Sequence, residues 1–90
     1  MPLELKELEK MMKALANKRR LSILRHLKKH KEVSVGEIAE AINLSVKSTS
    51  RHLAVLFSAD FVERQQRSLE VYYRHADTFP SIIKHIISIL

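Results

Sequence analysis

The chain is poor in turn-forming residues, with one Gly and two Pro among its 90 residues. An all-β fold uses those residue types at its many corners, so this scarcity favours helices. The apolar fraction of 46% and the charged fraction of 29% are typical of a globular chain. The sequence therefore predicts one small, mainly helical domain over residues 1–90.

Apolar spacing predicts two helices in the first third of the chain. The first covers residues 3–15, with apolar residues at 5, 8, 12 and 15, and Pro2 suits a first helical position. Asn17 can cap a second helix over residues 18–30. Its inward stripe is Leu21, Leu24 and Leu27.

Two further helices are predicted close together, with a tight turn between them. Ser34 and Glu37 form an S-x-x-E capping box before a short helix that ends near residue 42. Asn43 tolerates a left-handed backbone and supplies the turn, and Ser45 caps a fourth helix over residues 46–58.

The apolar pattern after residue 60 changes to a period near two, which is typical of strands. Strands over 61–66 and 69–75, joined around residues 67–68, make a β-hairpin, with Leu69 and Tyr73 on one face. Asp77 is predicted to start a last, strongly apolar helix over 78–90, with Pro80 in its first turn. The expected fold is mainly α with a small β-hairpin (α+β), in the order α-α-α-α-β-β-α.

Positive charge is concentrated in one part of the chain. The net charge is +6, and residues 17–31 hold seven Lys or Arg side chains and no acid. Such a balance suggests a polyanionic partner, although a solvated helix face explains a run of lysines equally well.

Two helices joined by a tight turn and followed by a hairpin describe a winged helix-turn-helix. On the second helix of that pair, Val46, Thr49, Leu53, Leu56 and Phe57 fall on one side at 100° per residue. Lys47, Ser48 and Arg51 project from the other side, with His52 at its edge. These donors suit reading of a major groove, and a polar solvent face is the simpler alternative.

Three segments resemble the ArsR-like family of small winged-helix repressors: "ALANKRRLSILRHL" (14–27), "VGEIAEAINLSVKSTSRHLAVL" (35–56) and "VYYRH" (71–75). The resemblance implies a dimeric repressor that binds a palindromic operator. It also implies that Tyr73 packs the wing onto the body, and that Arg20 has a structural or phosphate-binding role. The DNA-binding residues it implies are Lys47, Ser48, Ser50, Arg51 and His52 on the recognition helix, Arg64 and Arg67 on the wing, and Arg20.

Metal sensing, cofactors and catalysis are not supported by the residues present. The stretch "VSVGEI" stands where metal-sensing relatives carry cysteines, and the chain contains no Cys. The other metal site of the family uses Asp and His pairs on the final helix. Asp77 is present here, but Phe79 stands near the expected first His and His85 is alone. His26 and His30 are one helical turn apart among cations, which opposes metal binding, and no nucleophile motif or phosphate-binding loop occurs.

The terminal helices favour self-association. A small monomer cannot easily cover both the apolar stripe of 3–15 and the apolar helix 78–90, so we expect a homodimer through these two helices. The sequence shows no apolar run of signal-peptide type and no uncharged 18-residue stretch, so we expect a cytoplasmic protein without membrane spans.

The leading hypothesis is a dimeric, sequence-specific regulator that binds double-stranded DNA. A winged-helix module that binds a protein partner and no longer reads DNA is the alternative, and DNA binding at low salt separates the two. A metal or redox sensor enzyme, the third candidate, lacks ligands and nucleophiles. The operator, the inducer and the choice between repression and activation stay open.

Overall fold

The computed structural model describes residues 3–90, so Pro2 and its predicted helical position lie outside the described residues. The elements follow the order α-α-β-α-α-β-β-α. Their bounds are α1 (Leu5–Leu15), α2 (Lys18–Lys29), β1 (Val33–Ser34), α3 (Val35–Ala41), α4 (Val46–Ser58), β2 (Val62–Arg67), β3 (Glu70–His75) and α5 (Ser81–Ser88). Within residues 3–90, no helix combines the length and the apolar character needed to cross a membrane.

The predicted helix caps at Asn17, Ser34 and Ser45 are confirmed. The Asn17 side chain accepts a hydrogen bond from the backbone amide three residues later, at 3.0 Å. Ser34 and Glu37 complete the reciprocal capping box of α3. Ser45 accepts from the amide of Ser48 at 3.1 Å and so sets the first turn of α4.

Residues with a left-handed backbone lie just before and just after α4. Asn43 has φ 55° in the turn between α3 and α4, as predicted, and Asp60 has φ 63° after α4. Asp tolerates this conformation because its short polar side chain can bond locally. The backbone therefore reverses at both places without glycine.

The hairpin is confirmed, but it belongs to a three-stranded antiparallel sheet in the order β1-β3-β2. The sequence pattern did not predict β1, whose Ser34 pairs with Tyr72. A two-residue strand is too short to carry an alternating pattern, and its second residue is also the cap of α3.

The hairpin turn also lies one residue later than predicted. Arg67 pairs with Glu70, so Ser68 and Leu69 form the turn, with Ser68 at φ 56°. Leu69 is consequently 95% exposed. The prediction that Leu69 and Tyr73 lie on one face of the hairpin is therefore wrong. Tyr73 is 6% exposed and packs into the core, as the resemblance implied.

The last helix begins later than predicted, at Ser81, and Asp77 does not cap it. Pro80 occupies the cap position, and a proline disfavours helical geometry in the residue before it. The helix therefore cannot extend back through Phe79. Asp77 instead lies 3.7 Å from a guanidinium nitrogen of Arg74.

One hydrophobic core joins all five helices to the sheet. Its buried side chains come from every helix and from all three strands. The apolar side chains that are only 0–1% exposed are Ile23, Leu24, Ile38, Leu53, Leu56, Phe61 and Ile83. This core holds α4 and the hairpin in a fixed relation to each other.

Candidate nucleic-acid interface

Helix α4 has one apolar face and one polar face. Thr49, Leu53 and Leu56 are all 0% exposed and attach the helix to the core. Val46 and Phe57, which the sequence analysis placed on this inner face, are 52% and 37% exposed. They lie at opposite ends of the helix, where the core no longer covers the edges of the apolar face.

The outer face of α4 carries the predicted reading residues. Lys47, Ser50 and Arg51 are exposed, and Ser48 is half-buried in the first turn. Within residues 3–90, neither Lys47 nor Arg51 takes part in an ion pair. Their hydrogen-bond donors are therefore available to a ligand outside the chain.

The side chain of Arg20, on α2, contacts both α1 and α4. Its Nε donates to the carbonyl oxygen of Ala14 at 2.6 Å, and its Nη2 donates to that of Lys13 at 3.2 Å. Its Nη1 lies 3.2 Å from Nδ1 of His52 on α4. The guanidinium is thus occupied at the C-terminal end of α1, which favours the structural role over phosphate binding.

His52 is half-buried against Arg20, at the edge of the polar face. Burial lowers the pKa of its imidazole, and the nearby charges of Arg20 and Arg19 lower it further. A guanidinium can only donate, so Nδ1 accepts and the remaining ring nitrogen, Nε2, carries the proton. The contact with Arg20 thus favours the neutral ring, which leaves one N–H donor on Nε2.

Both predicted wing arginines lie on β2 and contact the body of the protein. The guanidinium carbon of Arg64 lies 3.9 Å from the ring centroid of Phe57, at the end of α4. Arg67 forms an ion pair with Glu32 at 2.7 Å and stacks over Tyr72 at 5.0 Å. The Arg64 contact links the wing to α4, and the Arg67–Glu32 pair links it to the residue before β1.

Phe57 and Glu32 were not recognised as wing-positioning residues from the sequence. Glu32 precedes β1, and its partner Arg67 ends β2, so no local spacing links them. Phe57 was predicted to lie on the buried face of α4, so its position in the sequence did not indicate a contact with the wing. Its partner on β2 could not be identified without the packing of the hairpin.

His26 of α2 and His30, which directly follows the helix, lie together at the edge of a cleft. The rings of His26 and His30 are 4.3 Å apart between centroids, and Glu37 lines the same cleft. Burial lowers the pKa of His26, and His30 lowers it further. Among residues 3–90, no three His, Asp or Glu side chains come together in a way that could hold a metal ion.

Known proteins match both the sequence and the fold. Residues 15–65 match the helix-turn-helix domain family. The transcriptional activator HlyU of Vibrio cholerae is 37% identical over an alignment of 84 positions, and the match covers 86% of this chain and 77% of HlyU. The transcriptional repressor PagR of Bacillus anthracis is 32% identical over 63 residues, or 70% of this chain and 63% of PagR.

A solved structure extends the match to the whole fold. The homodimeric winged helix-turn-helix DNA-binding domain of a possible ArsR-family regulator from Mycobacterium bovis has a TM-score of 0.79 and 29% identity. The similarity covers 99% of this chain and 85% of that one. The three-stranded sheet, the helix-turn-helix and the sequence matches agree, and the chain belongs to the ArsR-like family of winged helix-turn-helix transcriptional regulators.

Proposed function

We propose that this protein acts as a homodimeric repressor that binds a palindromic operator through α4 and the wing. The observation that carries the proposal is the outer face of α4. It presents Lys47 and Arg51 outside any ion pair of the described chain, while Thr49, Leu53 and Leu56 on the opposite face are completely buried. A helix with these properties fits the major groove, where Lys and Arg bond the acceptor atoms of guanine.

The remaining candidate residues divide by the kind of DNA contact they would make. Ser48 and Ser50 on the first turns of α4 donate to base edges or phosphates. Arg64, held above Phe57, lies on the wing and would approach the phosphates beside the groove. Arg20 acts indirectly, because it fixes His52 and hence the rotation of α4.

The dimer is supported by apolar surface that the monomer leaves uncovered. Leu5 and Met12 on α1 are 84% and 49% exposed, and Ile82 and Ile89 at the C-terminal end are 53% and 72% exposed. These residues lie on the two elements predicted to pair across a two-fold axis. Such pairing would set the two recognition helices about one DNA turn apart, roughly 34–36 Å.

The relatives include proteins named as an activator and as a repressor, and of these two roles we propose repression.

The reading face is tested by fluorescence anisotropy with a duplex selected from a random pool. Lys47→Ala and Arg51→Ala should each lose about 1–3 kcal/mol of operator affinity, which is roughly 5- to 160-fold. Matched charge removals at Lys6 and Arg25, exposed residues on α1 and α2, should leave the affinity within about twofold. Equal effects at all four positions would reject the reading face and leave only general electrostatics.

The dimer is tested separately by sedimentation equilibrium. An Ile82→Glu/Ile89→Glu variant should become monomeric and bind the full palindrome more weakly, because two half-sites are no longer joined. A wild-type protein that is monomeric at micromolar concentration would refute the proposed assembly.

A further inference from the structure

A second charged surface lies beside the wing, on the far side of the sheet from the core. It is an open cleft of about 730 Å³ between the segment that follows α2 and the outer face of the hairpin. Four cations line it, and Glu32 is its only acid. The cations are Lys29, Lys31, Arg67 and Arg74.

The cleft already holds one carboxylate of its own. Oε1 of Glu32 lies 2.7 Å from Nη1 of Arg67. The same guanidinium donates from Nη2 to the side-chain oxygen of Gln65 at 3.0 Å and stacks on Tyr72. Arg67 is therefore held in a direction that presents its donors to an oxyanion inside the cleft.

The positive charge of the cleft exceeds what Glu32 balances. Arg74 pairs with Glu63 and Asp77, which lie outside the lining. Lys29 and Lys31 are exposed and form no ion pair with any residue of the 3–90 region. The side chains of Arg67 and Glu32 are 47% and 28% exposed, and such solvent-exposed pairs contribute little to stability. An incoming anion can thus replace Glu32 at small cost.

We propose that this cleft binds a small polyanion with phosphate-type oxygens, which displaces Glu32 from Arg67 and weakens operator binding. One anionic oxygen takes the position of the Glu32 carboxylate on Arg67, and the other charges lie near Lys29 and Lys31. No bond is made or broken, so the event is reversible binding.

The coupling to DNA rests on the proposed function, because Arg67 belongs to the wing. Glu32 already holds the Arg67 guanidinium in the cleft of the free protein, so the coupling comes from the negative charge that the bound anion adds beside the wing and that repels the DNA phosphates. By linkage, operator DNA must weaken anion binding by the same factor.

The first experiment uses the full chain without DNA and titrates it with inorganic pyrophosphate by calorimetry. Wild-type protein should bind pyrophosphate saturably, and Lys29→Gln/Lys31→Gln should bind it about five- to tenfold more weakly. Lys18→Gln/Arg25→Gln removes the same charge from α2 outside the cleft and should bind like wild type. If wild-type protein does not bind pyrophosphate saturably, or if both double variants lose the same amount of affinity, the cleft is not an anion site.

The variant Glu32→Gln tests whether the Glu32 carboxylate occupies the anion position or only forms a structural ion pair with Arg67. Removal of the internal competitor should strengthen pyrophosphate binding about five- to tenfold, and thermal unfolding of the variant checks that the fold is kept. Unchanged or weaker binding by the folded variant would show that Glu32 does not occupy the anion position, which overturns the proposal.

The second experiment measures operator anisotropy with pyrophosphate against NaCl at equal ionic strength. Pyrophosphate should weaken the wild-type complex several-fold more than NaCl does, and this excess should vanish in Lys29→Gln/Lys31→Gln. If Lys29→Gln/Lys31→Gln binds operator weakly and pyrophosphate has no specific effect on the wild-type complex, the cleft contacts DNA itself and the proposal fails. If no duplex binds at all, the proposed function fails while the calorimetry still decides the anion site.

Discussion

Replacing Thr49 by Val should make the protein more stable. Thr49 is 0% exposed on the inner face of α4, and its side-chain oxygen Oγ1 has no hydrogen-bond partner within residues 3–90. Its backbone amide is satisfied, because it donates to the carbonyl of Ser45 at 2.9 Å. The buried hydroxyl is thus the unsatisfied group that the substitution removes.

The size of the effect follows from the desolvation of that hydroxyl. An unpaired buried donor or acceptor costs about 1–3 kcal/mol, and Val fills almost the same space with a methyl group. Both residues are branched at Cβ and have similar helix propensity, so the helix itself is little affected. We expect a gain of about 1–2 kcal/mol, which raises the Tm of a domain of this size by roughly 4–8 °C per kcal/mol.

The assay is urea unfolding followed by circular dichroism, at one protein concentration because a dimer's stability depends on it. Thr78→Val is the matched control: it makes the same chemical change at an exposed position, where stability should change by less than about 0.5 kcal/mol. Operator affinity of Thr49→Val should equal that of wild type. A variant less stable than wild type would mean that the hydroxyl has a partner, which contradicts the reasoning.

Three further outcomes are expected from unfolding measurements. Arg20→Gln should lose about 1–3 kcal/mol because the carbonyl of Ala14 loses its donor in a partly buried hydrogen bond, while the exposed Arg25→Gln should lose little. Leu53→Ala should cost about 2–5 kcal/mol at a 0% exposed core position, against almost nothing for Leu69→Ala at the 95% exposed turn. The folded state lowers the pKa of His52, so the unfolded chain binds the proton more readily. Stability should fall as the pH drops through about 6.5, and less steeply in His52→Gln.

The sequence carried enough information for most of the candidate site. The spacing of Thr49, Leu53 and Leu56 set which face of α4 is buried, and this placed Lys47 and Arg51 outside. The predicted burial was wrong only for Val46 and Phe57, at the edges of the apolar face. Helix periodicity gives the direction of a side chain and not its depth of burial. The roles of the wing arginines could not be inferred, since their contacts come from segments far away in the chain.

The sequence by itself determined the local structure: the helical periods, the caps at Asn17, Ser34 and Ser45, and the left-handed turn at Asn43. Each depends on residues three or four positions apart, so its physical cause is visible in a short stretch of sequence. The tertiary structure alone decided that β1 joins the sheet and that Glu32 holds Arg67. These are pairings across long stretches of chain, and they form only after the core has brought the elements together.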